Sequence, residues 1–371
     1  MDPITFRRHL HRYPELSFEE HATQKYISTA LTTAGIEHRS IANTGILAKI
    51  EGCGDLKKAL VLRADIDALP VTEATGLQFS SENEGVMHAC GHDMHAGVLY
   101  GVLLELNKSH NFEGTIFGIF QPGEERNPGG ASYILAEDPF ANYDVVAVVG
   151  QHVEGQFEVG RLGFRAGKYM ASSDELRFTV NGVGGHGAMR HKIKDPVQAA
   201  SALLLELVDL NREDMVLSIG KVLADGATNV IPASVYLEGT MRTFDEAERA
   251  AIKVKIGEIC SAIEAKYDGI DIDIDISHGF PCVVNDAELT KMAIALASTK
   301  YSVEPLELRT TSEDFGFYTT RYPSLFYRLG AGPSPGTPHT STFCPDEGAI
   351  NVGIDFMLSV ARKITNYETE E

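Results

Sequence analysis

A stretch of nine residues, MHACGHDMH at residues 87–95, gathers three histidines, a cysteine and an aspartate. Cys90 and His92 are separated only by Gly91, which suits a turn that aims both side chains at one point rather than a helix or a CxxC zinc ribbon. Apolar residues recur at helical spacing from residue 96, so we expect Cys90 near the positive end of a helix, where the pKa of its thiol is lowered. The stretch therefore indicates half of a metal site. The alternative is a buried structural cysteine beside surface histidines.

Further candidate ligands follow predicted strands. Four apolar runs are typical of strands buried on both faces, and each is followed by residues that can act on a metal or a substrate. These are Asp65 and Asp67 at and after 59–66, Glu124 and Glu125 after 115–120, His152 after 144–150, and His339 beyond 324–329. Because ligands gather beyond the carboxyl ends of parallel strands, we expect these side chains to converge.

The predicted ligand set combines a thiolate, a carboxylate and three imidazoles: Cys90, His92, Glu125, His152 and His339. This mixture suits manganese or zinc, with cobalt or nickel as alternatives. Five ligands are too many for one open tetrahedral site, whereas two divalent ions that share a ligand would use them all and activate a water molecule. Glu124 is then the spare carboxylate and our candidate general base, the alternative being a simple surface glutamate.

The elements that must position these residues alternate between strand and helix, which predicts an α/β fold with a mostly parallel sheet. We assign residues 1–173 and 286–371 to this catalytic, metal-binding domain. Residues 174–285 follow the order β-α-β-β-α-β, and strict Ile/Asp alternation at 270–276 indicates one buried and one solvated face. We therefore expect an inserted α+β domain of ferredoxin-like type.

The composition disfavours some classes of binding partner and indicates a cellular compartment. The chain of 371 residues has 32 Lys and Arg against 52 Asp and Glu, a formal charge of -20, which disfavours nucleic acid and anionic membranes. It has neither the apolar core of a signal peptide at its start nor an uncharged stretch long enough to cross a bilayer. Five widely and irregularly spaced cysteines favour reduced thiols. We therefore expect a cytoplasmic protein without nucleic acid or membrane partners.

Several motifs in order along the chain resemble one family. The sequence is similar to the M20 metallopeptidase superfamily, in its aminoacylase-like amidohydrolase branch, whose relatives include hippurate hydrolases, indoleacetyl-amino acid hydrolases and N-acetyldiaminopimelate deacetylases. The motifs are RADIDALP at 63–70, MHACGHDMH at 87–95, QPGEE at 121–125, QHV at 151–153, GGHGAMRH at 184–191, NVIP at 229–232, EGTMR at 238–242, TSEDF at 311–315 and PHT at 338–340.

The resemblance implies a di-metal hydrolase that cleaves an N-acyl amino acid into a carboxylic acid and a free amino acid. It implies that the five residues above are the ligands, that Glu124 is the base, and that the inserted domain is a lid that also joins two chains in a homodimer. In the lid, relatives imply His186 at the scissile carbonyl, and Asn229 and Arg242 on the substrate, with Arg242 near its carboxylate.

Two positions need separate comment. Asp65 stands where other branches of the superfamily have a metal-binding histidine, so we leave it out of the ligand set and place Asp67 behind the ligands as a supporting residue. Relatives often have proline before the second lid histidine, whereas here Arg190 precedes His191. The role of His191 therefore stays open, and the added charge favours an acidic or bulkier substrate.

Two other functions remain as alternatives. A dipeptidase or aminopeptidase of the same superfamily would use the same metals on a substrate with a free amine, although the CGH motif at 90–92 disfavours it. A catalytically silent metal-binding module would keep the ligands without turnover, which the presence of Glu124 disfavours.

Overall fold

A computed structural model of the chain describes residues 1–366. The short acidic stretch at residues 368–371 lies outside the described residues. The chain forms two compact units. The first comprises Met1–Tyr169, Val283–Glu307 and the described part of Asp314–Glu371, and the second comprises Met170–Cys282 and Leu308–Glu313.

The elements are numbered in chain order. The α-helices are α1 Pro3–Arg12, α2 His21–Thr33, α3 His92–Leu106, α4 Gly130–Ala136, α5 Pro196–Val208, α6 Glu246–Lys266, α7 Ala287–Ala297, α8 Gly316–Thr319 and α9 Gly348–Ile364. The strands are β1 Glu37–Ile41, β2 Gly45–Glu51, β3 Lys58–Asp65, β4 Thr115–Gln121, β5 Asp144–Glu158, β6 Arg161–Phe164, β7 Gly167–Met170, β8 Asp174–Asn181, β9 Gly185–His186, β10 Met215–Leu223, β11 Val230–Ile231, β12 Ser234–Thr243, β13 Asp271–Ile276, β14 Val283–Asn285, β15 Ser302–Pro305 and β16 Ser324–Gly332.

The first unit is built on an eight-stranded sheet in the order β1-β2-β4-β3-β5-β16-β6-β15. The four apolar runs become its centre, where β4, β3, β5 and β16 are parallel neighbours. Pairs β1–β2, β2–β4 and β6–β16 are antiparallel. The mostly parallel sheet is thus confirmed, and the carboxyl ends of its central strands lie together as expected.

Helix α3 is the central helix of this unit, and nearly its whole surface is buried between the sheet, α1 and α9. Small residues allow the close packing: a Cβ on Gly101 would lie 2.3 Å from Cδ1 of Ile354, and one on Gly97 would lie 3.1 Å from Cβ of Arg7. Because packing on all sides fixes α3, the residues at its first turn are held firmly relative to the sheet.

The second unit has a four-stranded antiparallel sheet in the order β10-β12-β8-β13. Helices α5 and α6 cover one face, where Phe178, Leu237 and Ile256 are fully buried. This order of strands is that of a ferredoxin-like split βαβ unit. The use of this unit as a lid or for dimerisation stays a prediction.

Two strands differ in extent from the sequence patterns. Residues 230–243 form two strands, β11 and β12, rather than one, because Pro232 lies between them and cannot donate to a sheet ladder. The strand expected at 144–150 continues to Glu158 and pairs with β16, so His152 lies within β5, opposite Arg328. Within residues 1–366, no helix combines the length and hydropathy needed to span a membrane.

Candidate metal centre

The turn before α3 sets the directions of Cys90 and His92. Gly91 has a φ of 85°, in the left-handed region, and caps the helix. A Cβ at this position would also lie 2.5 Å from Cγ2 of Val153 on β5. Glycine is therefore required both for the backbone conformation and for the close approach of the strand. The result is a buried loop that brings the side chains of Cys90 and His92 close to each other.

A first group of donors consists of Cys90, His92 and His152, whose ligand atoms lie within 4.8 Å of one another. Sγ of Cys90 is 3.3 Å from Nε2 of His152. Nδ1 of His152 contacts its neighbour's carbonyl, the oxygen of Val153, at 2.7 Å, so this nitrogen carries the proton. The lone pair on Nε2 is then directed toward the thiol, as a metal ligand requires.

A second group contains Cys90, Glu125 and His339, again within 4.8 Å. Nε2 of His339 is 3.2 Å from Oε1 of Glu125. His339 has a φ of 68°, and its backbone N–H donates to the carbonyl of Ala89 at 2.8 Å. A left-handed conformation is costly for a residue with a side chain and is found often at functional sites. The bond to Ala89 therefore ties the distant His339 loop to the cysteine loop.

The unsatisfied atoms of the centre fit metal ions. In residues 1–366, the buried Nε2 of His92 has no hydrogen-bond partner, and Oε1 of Glu125 has only the ion-pair contact with His339, without hydrogen-bond geometry. Such orphaned acceptors cost free energy unless a cation or water satisfies them. Cys90 is common to both donor groups. This donor set would suit two divalent ions, with nitrogen, oxygen and sulfur ligands typical of intermediate metals.

Asp67 accepts hydrogen bonds from two residues that carry candidate metal ligands. Its Oδ1 accepts from Nδ1 of His92 at 3.0 Å, and its Oδ2 accepts from Oγ of Ser17 at 2.7 Å and from the backbone N–H of Glu125 at 2.9 Å. Burial raises the pKa of Asp67, but these hydrogen bonds and the charge of His92 outweigh it, so that the pKa is lowered. The ionised carboxylate of Asp67 thus orients the imidazole of His92 and the loop that carries Glu125.

Glu124 lies beside this group and is buried. Its Oε2 is 3.9 Å from Nε2 of His92, and His92, Glu124 and Glu125 form a further donor group. The loop that carries Glu124 is anchored by Glu20, whose Oε1 accepts from the N–H of Gly123 at 2.9 Å. Burial, together with the charge of Asp67, raises the pKa of Glu20 to about 7. The carboxylate of Glu124 is therefore placed to exchange a proton with a group bound among these donors.

Asp65 and His95 are brought to the same edge of the sheet but bind each other. Nδ1 of His95 donates to Oδ1 of Asp65 at 2.5 Å, and its Nε2 accepts from the N–H of Val153 at 2.9 Å. Oδ2 of Asp65 accepts from Nη1 of Arg63 at 2.5 Å. Because both nitrogens of His95 are used, its position favours a structural role that fixes β5 next to His152.

The expected lowering of the cysteine pKa was wrong. Burial, with a smaller contribution from Glu125, raises the pKa of the Cys90 thiol, because the side chain is enclosed and its neighbouring histidines compensate only in part. Interactions with Cys90 and Glu125 raise the pKa of His339 to about 10. A metal ion deprotonates a coordinating thiol and competes with the proton on an imidazole, so binding of a cation here releases protons.

The predicted substrate residues His186, Asn229 and Arg242 all belong to the second unit. His186 is exposed on β9, which pairs with β11, and the carbonyl of Asn229 accepts from the N–H of Gly187 at 2.8 Å. These two residues are therefore neighbours. Arg242 is half-buried on β12, where its guanidinium donates to Oγ1 of Thr240 and to the carbonyl of Met241. Burial lowers the pKa of Arg242.

Sequence reasoning missed several supporting residues, among them Ser17, Glu20 and His95. Ser17 and Glu20 lie in the segment between α1 and α2, far in sequence from the groups they contact, so neither carried a signal. His95 belongs to the histidine-rich stretch and Asp65 to the end of its strand, but their spacing in the sequence does not indicate that they bind each other.

Comparison with known proteins agrees with this geometry. The sequence profile described as Peptidase family M20/M25/M40 matches residues 61–363. The chain is 34% identical to an N-acetyl-L-cysteine deacetylase of Bacillus subtilis, covering 99% of this chain and 89% of that protein. It is 34% identical to an N-acetyldiaminopimelate deacetylase of Geobacillus sp., covering 96% of each. A solved structure from Bacillus subtilis, described as a dinuclear metal binding peptidase from the M20 family, superposes with a TM-score of 0.86 at 32% identity, covering 99% of this chain and 98% of that one.

Proposed function

The chain belongs to peptidase family M20/M25/M40, and from this membership and its donor groups we propose that it is a metal-dependent amidohydrolase. Its substrate class is the N-acyl amino acid, which it hydrolyses at the amide bond to a carboxylic acid and a free amino acid. The relatives of similar length that carry deacetylase names support this reaction type. The proposed cofactor is a pair of divalent ions, manganese or zinc first, with cobalt and nickel as alternatives.

One observation carries the proposal: two groups of donors meet at the buried Cys90, with the carboxylate of Glu124 beside them. We assign Cys90, His92 and His152 to one ion, and Cys90, Glu125 and His339 to the other. A structural zinc site would close on four ligands and would not need a further buried carboxylate. The additional acid therefore supports catalysis over a purely structural metal.

The bound ions would polarise the substrate carbonyl and lower the pKa of an attacking water. Glu124 accepts the proton of that water as it attacks and returns it to the leaving nitrogen, so the amide nitrogen departs as an amine. Asp67 keeps Nδ1 of His92 protonated and fixes the loop of Glu125. Both roles need a carboxylate that stays ionised, which the lowered pKa of Asp67 supports.

We assign substrate recognition to the second unit acting as a lid. His186 would donate to the carbonyl oxygen, and Asn229, its neighbour across the β9–β11 pair, would hold the same end of the substrate. Arg242 would bind the substrate carboxylate, and for this its guanidinium must exchange its contacts with Thr240 and Met241 for the ligand. A homodimer formed through this unit and a cytoplasmic location complete the proposal.

The test pairs two neighbouring glutamates. Glu124→Gln should keep the metal ions and lose about 10² to 10⁴ in kcat, the typical contribution of a positioned base. Glu125→Gln, the matched control, should lose metal as well as activity. Activity is measured on N-acetyl, N-benzoyl and N-succinyl amino acids, and on dipeptides with a free amine, with manganese, zinc, cobalt and nickel.

Turnover of dipeptides with none of the acyl amino acids would contradict the proposed substrate and favour the peptidase alternative. Metal binding without turnover of either class would favour the silent module. Full activity of Glu124→Gln would show that another group accepts the proton.

A further inference from the structure

The first unit has a pocket beside the residues that directly follow Glu124 and Glu125 in the chain. Its volume is about 660 Å³, within the range of roughly 300–1,000 Å³ that is usual for small-molecule sites. The pocket is half-open to solvent. It is lined by Phe18, Ala42, Asn43, Arg126, Asn127, Pro128, Tyr133, Ala136 and Glu137. None of these residues is among the metal donors or the proposed substrate contacts.

Arg126 supplies a positive charge to this pocket. Its side chain is exposed, and across residues 1–366 its guanidinium has neither an ion pair nor a hydrogen bond. This is notable in a chain with 52 acidic residues. The one carboxylate of the lining, Glu137, accepts from the N–H of Ala42 at 2.6 Å and lies 3.7 Å from Nη1 of Arg39. In residues 1–366 no ion pair or hydrogen bond joins Glu137 to Arg126, so the five donors of Arg126 remain available for an anion.

The walls around Arg126 are apolar and aromatic. Phe18 and Tyr133 meet edge to face, with ring centroids 5.6 Å apart. Tyr133 is 47% exposed although it is a large aromatic residue. Pro128 and Ala136 add apolar surface. The aromatic rings of Phe18 and Tyr133 next to an available arginine favour a ligand that has both an apolar body and a negative charge.

The backbone at the pocket supports a functional role. Phe18, Ala42 and Asn43 have φ values of 67°, 46° and 65°, in the left-handed region that residues with side chains rarely adopt. Ala42 and Asn43 belong to the short turn between β1 and β2, where tight hairpins commonly need positive φ values. Phe18 lies outside any hairpin, and a bulky residue in this conformation is strained, as is often seen at ligand sites.

We propose that this pocket is a second small-molecule site, which binds a carboxylic acid with an aromatic or other apolar body. Arg126 binds the carboxylate through two parallel N–H donors, and the body of the acid packs against Phe18 and Tyr133. The acid is either the acyl portion of a substrate that itself carries a carboxylate or a separate free acid. The assignment does not depend on the proposed reaction.

The site is joined to the metal centre through one short loop. Arg126 directly follows Glu125 in the chain. The ring of Phe18 packs against Gly123, where an added Cβ would lie 2.3 Å from its Cε1. A ligand between Phe18 and Arg126 would therefore contact Arg126 next to Glu125 and, through the ring of Phe18, press on Gly123 before Glu124. We expect its binding to alter the kinetics of hydrolysis.

The test is calorimetric titration of the metal-loaded protein with phenylacetate, and with phenylacetamide as the uncharged probe. Arg126→Gln should weaken the binding of phenylacetate by roughly tenfold, through loss of charge-assisted hydrogen bonds, and should leave phenylacetamide nearly unchanged. Ala136→Phe, which fills the pocket from the exposed face of α4, should abolish binding of both probes. Arg161→Gln, at a half-buried arginine of β6 that pairs with Glu304 outside the pocket, is the control for loss of one positive charge and should bind both as the wild type does.

The same titration on protein stripped of metal with a chelator separates this pocket from the metal centre, because phenylacetate could also bind metal ions. Binding that persists there and depends on Arg126 supports the pocket, even if no acyl amino acid is hydrolysed. Phenylacetate that raises only KM identifies a subsite of the substrate, whereas a change in kcat identifies a separate ligand. Binding that is lost with the metal, or is equal in wild type, Arg126→Gln and Ala136→Phe, would overturn the proposal.

Discussion

Replacement of Asp67 by asparagine tests the support behind the metal ligands. The carboxylate has acceptors on both edges: Oδ1 faces Nδ1 of His92 at 3.0 Å, and Oδ2 faces Oγ of Ser17 and the N–H of Glu125 at 2.7 and 2.9 Å. Asparagine has the same shape but only one oxygen. In either orientation its NH₂ group therefore faces the N–H of His92 or that of Glu125. The hydroxyl of Ser17 can rotate, but a backbone N–H cannot.

The magnitude follows from this geometry. The N–H of Glu125 left without an acceptor would cost about 1–3 kcal/mol, whereas Nδ1 of His92 keeps the backbone carbonyl of Asp67 at 3.0 Å and would lose only its charged partner. Since 1.4 kcal/mol corresponds to a factor of ten, and loss of a residue supporting metal ligands costs about 10–100-fold in metal affinity, we expect Asp67→Asn to bind metal at least tenfold more weakly. The metal-free protein should lose about 1–3 kcal/mol of unfolding free energy.

The assay is competition for metal with a chromophoric chelator, combined with urea unfolding of the metal-free protein. Ser17→Ala is the matched control, because it removes one hydrogen bond to Asp67 and leaves the charge and the other two bonds. Its metal affinity should fall by less than about tenfold, with a stability loss of about 1 kcal/mol. Wild-type metal affinity in Asp67→Asn, or an equal loss in both variants, would refute the reasoning.

Two further predictions follow from the same region. Gly91→Ala must adopt a φ of 85° and place its Cβ 2.5 Å from Val153, so thermal unfolding should show a loss of roughly 1–3 kcal/mol or more, together with weaker metal binding; unchanged stability would contradict the close packing at the turn. Glu73 receives hydrogen bonds from His11, Ser81 and Thr75, which outweigh its burial and lower its pKa from 4.5 to about 2, so its stabilisation is present above pH 4.5 and is lost as the pH falls toward 2. The stability difference between wild type and Glu73→Gln, measured by urea unfolding at pH 7 and pH 4, should therefore be smaller at pH 4, and a larger difference there would contradict the assignment.

The sequence predicted those parts of the fold and site that have local causes. Continuous apolar runs predicted the four central parallel strands, and the position of polar residues near their carboxyl ends predicted that Glu125 and His152 would meet Cys90 and His92. The convergence of these side chains is confirmed, while their roles as ligands stay a prediction. The break before β12 could have been predicted from Pro232, since proline interrupts a central strand.

The remainder depends on tertiary structure. The length of β5 is determined by its pairing with β16, which no local pattern near His152 encodes. The raised pKa of Cys90 follows from enclosure by side chains distant in sequence. The position of Cys90 at a helix terminus therefore predicted the wrong direction for its pKa shift. The contact of Ser17 with Asp67, and the pairing of His95 with Asp65, likewise required the packed structure.

The central claim is that the donor groups around Cys90 would hold two metal ions, and metal content tests it most directly. Elemental analysis of metal-saturated wild type should approach two ions per chain, in line with the dinuclear relative of the same fold. Cys90→Ala should lose affinity for both ions, because the residue belongs to both donor groups. Cys344→Ala, at a cysteine outside these groups, should retain wild-type content. Two tightly held ions in Cys90→Ala would contradict the account.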